Sequence, residues 1–173
     1  DVYKRQIKLN GIANSKQDAI NKLVDLMAKN GNLTDKEKYT QVVLKREEEG
    51  STGIGEGIAI PHGKTDAVSK PGLSAMVIND GVEFDSLDGQ PAKLLFLIAA
   101  PNTKDNVHLD VLSKLSVLMM DEDFSNGLRN AKSVEEFLEI IDKADDEKPD
   151  IDERLEDTGA KEDSKVKILA VTS

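Results

Sequence analysis

Histidine is where reactive chemistry concentrates in this sequence. There are two, His62 and His108, and there is no cysteine, which removes disulfides and thiolate nucleophiles together. His62 follows Pro61, whose ring fixes its own backbone, and precedes Gly63, which lets a partner approach closely. A Gly-Ser-Thr-Gly-Ile-Gly-Glu-Gly run at 50–57 lies just upstream, and backbone N–H groups exposed in such a loop bind anions. A neutral imidazole is a good nucleophile near neutral pH, because its pKa lies near 6.5. One ring nitrogen attacks phosphorus while a hydrogen bond holds the other. His108 is placed to orient it, and the fork of Arg46 to offset phosphoryl charge. Each residue also has a plainer reading. His62 then becomes a loop histidine without a role, His108 a satisfied core residue, and Arg46 a helix-end cation that snorkels.

Three other chemistries fit less well. The 57–65 stretch, Gly-Ile-Ala-Ile-Pro-His-Gly-Lys-Thr, nearly matches a phosphate-binding loop, but has one residue too many between its glycines and a proline where the loop must curl. Gly53, Gly55 and Gly57 fail the dinucleotide fingerprint because no helical pattern follows them. A metal site from His62, His108, Asp66 and Asp110 matches no ligand spacing, so neither metal nor cofactor is expected.

The elements that must position these residues are legible as patterns. Ser15 with Asp18 opens a helix whose apolar stripe is Ile20, Leu23, Val24 and Met27, and Gly31 closes it. Thr34 and Glu37 form a better capping box for a second helix, with Tyr39, Val42, Val43 and then Arg46 on one face. Two strands are expected at 73–79 and 93–99, the second continuously apolar and central. Asp105 or Asn106 caps another helix, on which His108 leads the stripe Val111, Leu112, Leu115 and Met119. Ser133 and Glu136 make a third box ahead of Val134, Phe137, Leu138 and Ile141. Helices interspersed with strands predict an α/β domain ending near Lys143.

Composition bounds the function. The chain has 173 residues, 38% of them hydrophobic and 3% aromatic, and no tryptophan, so stacking on bases or sugars has little material. A net charge of −10 argues against non-specific binding to nucleic acid or an anionic membrane. No apolar run approaches the roughly 20 residues that span a bilayer, and the start lacks a signal-peptide core, so a cytoplasmic location is expected. The acidity is uneven: residues 144–164 hold 10 acidic and 3 basic residues, and so carry −7 of the −10. With only Ile151 and Leu155 as large apolar residues, that segment reads as a flexible acidic linker. The final 165–173 stretch turns abruptly β-prone and apolar, like a first strand whose sheet lies elsewhere.

The 46–63 stretch, Arg-Glu-Glu-Glu-Gly-Ser-Thr-Gly-Ile-Gly-Glu-Gly-Ile-Ala-Ile-Pro-His-Gly, resembles the signature of the fructose/mannitol-type EIIA domains of the bacterial phosphoenolpyruvate-dependent sugar phosphotransferase system. The resemblance extends from about Ile7 to Ile141, through Asp88-Gly-Gln-Pro and Leu95-Phe-Leu-Ile-Ala-Ala-Pro101. It implies a mixed β-sheet flanked by helices over 1–143 and a phosphohistidine intermediate. On matching positions, His62 takes and gives the phosphoryl group, His108 supports it, Arg46 neutralises charge, and Thr52 and Gly53 form the phosphate-binding loop. The partners implied are the phosphocarrier HPr as donor and a cysteine of an EIIB domain as acceptor, with a membrane EIIC domain beyond. The 165–173 stretch is similar to the opening strand of a fructose-type EIIB domain, so the resemblance implies a fragment of a fructose transporter. The 1–6 stretch departs from the family's apolar opening. A regulatory domain of the nitrogen-related branch, signalling by its phosphorylation state, is the alternative, and a non-enzymatic interaction domain the third reading.

Overall fold

A computed structural model describes residues 7–103 and 107–146. The elements run β1 (Ile7–Lys8), α1 (Lys16–Lys29), α2 (Lys36–Glu49), β2 (Gly53–Gly55), β3 (Ile58–Ala59), β4 (His62–Lys64), β5 (Gly72–Val82), β6 (Ala92–Ala100), α3 (Val107–Met119), α4 (Glu122–Arg129) and α5 (Val134–Asp146). All strands join one sheet in the order β1-β5-β6-β3-β2, with β4 also pairing β6. Pairing is mixed: β5 runs antiparallel to β6, whereas β3 and β4 both run parallel to it. The expected mixed sheet flanked by helices is the observed architecture.

Alternation along β6 explains the layering. Leu94, Phe96 and Ile98 point into a core shared with α3, α4 and α5, while Leu95, Leu97 and Ala99 point into a second core under α1 and α2. A strand buried on both faces must be apolar throughout, as the sequence pattern implied. Helices therefore cover both sides of the sheet, and β6 is its centre.

Local signals set most helix ends. Ser15 caps α1 by accepting from the Asp18 amide at 3.1 Å, and Gly31 follows with φ +78°. Ser133 likewise accepts from the Glu136 amide at the start of α5. The cap of α2 differs from the predicted box. Asp35, not Thr34, accepts from Lys38 N at 3.0 Å. The Thr34 hydroxyl donates instead to the Ala67 carbonyl, which also takes the Thr34 amide at 2.8 Å. A tertiary partner has claimed the threonine. Helix α5 runs to Asp146, three residues into the predicted acidic linker, and the rest of that linker and the 165–173 strand lie outside the described residues. The expected caps Asp105 and Asn106 lie outside them too.

Candidate active site

His62 opens strand β4, one residue beyond Pro61, in register with Ile98 of β6. The pairing is parallel, so His62 stands on the same sheet face as Ile98, the face covered by α3. The Ile98 amide donates to the Pro61 carbonyl at 3.1 Å, which ties the proline to the central strand. His62 is half-buried, and its Nδ1 lies 3.0 Å from the Ile60 carbonyl. A carbonyl oxygen can only accept, so in the neutral ring Nδ1 carries the proton and Nε2 keeps its lone pair. The direct partner of Nδ1 is thus a backbone carbonyl.

Gly63 points the other way, under α2. A Cβ there would meet Val43 Cγ2 at 3.0 Å and Tyr39 Cε1 at 3.2 Å. That close approach lets the buried Tyr39 hydroxyl reach across and donate to the Ile98 carbonyl at 2.8 Å. Burial pushes the Tyr39 phenol well above its ordinary pKa. Helix α2 is thus bonded to the same residue of β6 that registers His62.

The last turn of α2 fixes the loop beside His62. Arg46 Nη1 donates to the Gly50 carbonyl at 2.9 Å. Among the described residues, this is its hydrogen bond, and the remainder of the guanidinium fork is uncommitted. Glu47 is buried, and both its oxygens accept from the Thr52 amide at 3.2 Å. The Thr52 hydroxyl also donates to Glu47, and Lys16 Nζ approaches the same carboxylate at 3.1 Å. From there, the Thr52 carbonyl accepts the Ile60 amide at 3.0 Å.

Several donors of the 50–57 loop are held within the protein. The Thr52 amide and hydroxyl belong to Glu47, the Gly53 amide donates to Ser51 Oγ at 3.0 Å, and the Glu56 amide to Asp88 Oδ2 at 2.8 Å. The glycines build a hairpin from β2 and β3, whose turn carries positive φ at Gly55, Glu56 and Gly57. Asp88 also accepts the Gln90 amide, and the Glu56 and Gln90 bonds hold its carboxyl below the usual carboxylate range. Across the hairpin, Arg129 Nη1 donates to the Glu56 carbonyl at 3.3 Å.

The structure brings the predicted residues together unevenly. His62 is linked to Thr52 through the backbone of Ile60, and Arg46 is bonded to Gly50, two residues before Thr52. His108 lies in the first turn of α3, a helix on the His62 face of β6. Asp66, weighed as a metal ligand, is bonded to Lys38 at 2.6 Å, and Lys38 holds its carboxyl below the ordinary range. Where a phosphate-binding loop would feed a helix, strand β4 follows instead. Sequence reasoning missed Glu47 as a site residue. Its signal was present, since Tyr39, Val43 and Glu47 recur every fourth residue and put a carboxylate on the buried stripe of α2.

Residues 2–144 match the family model described as phosphoenolpyruvate-dependent sugar phosphotransferase system, EIIA 2, and the chain belongs to that family of phosphotransfer domains. Over 142 residues it is 44% identical to the fructose-specific EIIABC component of Bacillus subtilis (strain 168), covering 82% of this chain but 22% of that protein. The chain thus spans about a fifth of the length of that relative. It is 41% identical over 127 residues to the fructose-specific EIIA component of Haloferax volcanii, covering 73% of this chain and 82% of the relative. Its fold matches the crystal structure of the nitrogen regulatory protein IIA-Ntr from Neisseria meningitidis with a TM-score of 0.74 at 29% identity, over 79% of this chain and 92% of that one. Among the described residues, no helix is long and apolar enough to cross a membrane.

Proposed function

We propose that this domain takes a phosphoryl group from phospho-HPr onto Nε2 of His62 and passes it to a cysteine of an EIIB domain during fructose uptake. The observation that carries the reading is the bond between Nδ1 and the Ile60 carbonyl, which leaves Nε2 as the one unprotonated ring nitrogen. In the first step a P–N bond forms at Nε2 while phosphorus leaves the donor, which keeps the electron pair of its broken bond. In the second the cysteine thiolate attacks phosphorus, and the pair of the P–N bond returns to Nε2. Nδ1 keeps its proton throughout, and the Ile60 carbonyl offsets the positive charge that attack builds on the ring. Arg46 offers its free donors to the phosphoryl oxygens, and His108 supports the group from α3. Thr52 and Gly53 act by holding the loop rather than by contacting phosphate.

Fructose is favoured by the names of the two relatives above. On this reading the domain works in the cytoplasm, and membrane contact comes through an EIIC domain. A regulatory role is the second reading, favoured by the likeness to IIA-Ntr. Enzyme I, HPr and labelled phosphoenolpyruvate provide the test. The wild-type domain should gain acid-labile, base-stable label, and His62→Ala should gain none while keeping its fold. Full labelling of the mutant would remove His62 from the mechanism. Transfer of the label to a fructose-type EIIB domain separates the transport reading from the regulatory one.

A further inference from the structure

We infer that Glu47 is a positioning residue for His62, an assignment that rests on the reading of His62 as the phosphoryl acceptor. The Glu47 side chain is 4% exposed, within a run of charges whose neighbours Glu48 and Glu49 are exposed. A carboxylate is costly to bury unless it is paired and hydrogen-bonded. Here Lys16 supplies the charge, and the Thr52 amide and hydroxyl supply the donors. Lys16 is itself held, 3.2 Å from Asp85 and with its ammonium 5.0 Å from the centre of the Phe84 ring. The start of α1 and the chain after β5 therefore clamp the carboxylate that clamps Thr52.

Two further hydrogen bonds carry this restraint from Thr52 to the imidazole. The Thr52 carbonyl accepts the Ile60 amide, and the carbonyl of that same Ile60 accepts the His62 Nδ1 proton. One residue, the ring-locked Pro61, separates Ile60 from His62. The Ile60 amide and carbonyl sit in successive peptide units joined at one Cα, so a displaced Ile60 would carry its carbonyl off Nδ1, and the imidazole would be free to protonate Nε2 instead. By fixing Thr52, Glu47 fixes the tautomer that keeps the nucleophile bare. Arg46, the next residue back, holds Gly50 at the other end of the loop, so one helical turn carries both restraints.

The test uses Glu47→Gln, which retains one carbonyl acceptor but loses the Lys16 ion pair. Nitrogen-15 spectra of the His62 ring should show the Nδ1–H form in the wild type and a mixture of tautomers in the variant. The labelling rate at saturating phospho-HPr should fall about tenfold to a hundredfold, while the half-saturating donor concentration stays unchanged. If E47Q does not fold, Thr52→Val is read in its place, because it removes only the hydroxyl donor at nearly constant shape, and Thr52→Ser should restore the wild-type spectrum. A folded variant with the wild-type tautomer and rate overturns the assignment. Should wild-type protein take no label from phospho-HPr, the proposed function falls, and the ring spectra still decide whether Glu47 sets the tautomer.

Discussion

Gly53→Ala separates a packing role for this glycine from a phosphate-binding one. No positive φ is required at Gly53, so alanine suits its backbone, and the penalty is steric. The new Cβ would overlap Ser86 Oγ and stand 3.0 Å from Ser86 Cα and 3.1 Å from its Cβ. Unstrained carbon contacts lie near 3.5–4.0 Å, so turning the hydroxyl away removes only part of the conflict. The backbone of β2 or of the chain at Ser86 must yield by several tenths of an ångström. Overpacking of this kind costs about 1–3 kcal/mol, and the reduced entropy of the unfolded chain returns roughly 0.4–1. The net expectation is a loss of about 1–2 kcal/mol, or a melting point lower by roughly 3–8 °C for a domain of this size. Ser86 Oγ is buried and finds no hydrogen-bond partner among the described residues, so Ser86→Ala alone should be neutral or stabilising by about 1 kcal/mol. In the double variant the Oγ overlap is gone but the Cα and Cβ contacts remain, so part of the loss should return. Urea unfolding of all four proteins gives the coupling, which should exceed about 0.5 kcal/mol. Wild-type stability of Gly53→Ala, or strict additivity with Ser86→Ala, would show that β2 does not seat on Ser86 and would refute the packing role.

Arg46→Lys should slow phosphorylation of His62 by about 10²-fold in single-turnover labelling, because a point charge cannot reproduce a bidentate fork. Tyr39→Phe leaves the Ile98 carbonyl without its phenol donor and should cost about 1 kcal/mol in urea unfolding at neutral pH. Burial raises the Tyr39 pKa, so the native state holds this proton more tightly than the unfolded chain does. Its contribution is complete below the ordinary value near 10 and is lost as pH rises above it, an alkaline limb that Tyr39→Phe should flatten. Asp88 behaves in the opposite sense. Its carboxyl is lowered by the Glu56 and Gln90 amides, so its contribution is present above the ordinary value near 4 and is lost as pH falls through the lower native value. Acid unfolding of Asp88→Asn should show a shallower limb, and an unchanged profile would mean the hairpin turn does not depend on the ion.

Features decided within a few residues were determined by the sequence itself. The caps at Ser15 and Ser133, the left-handed Gly31 and the doubly apolar β6 follow from local geometry and periodicity. Helix α4 was equally local but went unread. Asp121 caps it through the amides of Asp123 and Phe124, yet Gly127 interrupts a short stripe of Phe124 and Leu128. Other features depended on partners far along the chain. Thr34 lost its capping role to Asp35 because its hydroxyl and amide meet Ala67, 33 residues away. The glycine-dense run reads as an anion cradle in one dimension, and the folded chain adds partners the sequence did not name: Glu47, Ser51 and Asp88 accept the amides of Thr52, Gly53 and Glu56. Residue types and spacing made His62 the candidate for chemistry. Only the folded chain closes Glu47 on Thr52, Thr52 on Ile60 and Ile60 on His62, and so gives Nδ1 its carbonyl partner. A hydrogen-bond donor has one best acceptor in three dimensions, and residue type alone does not name it.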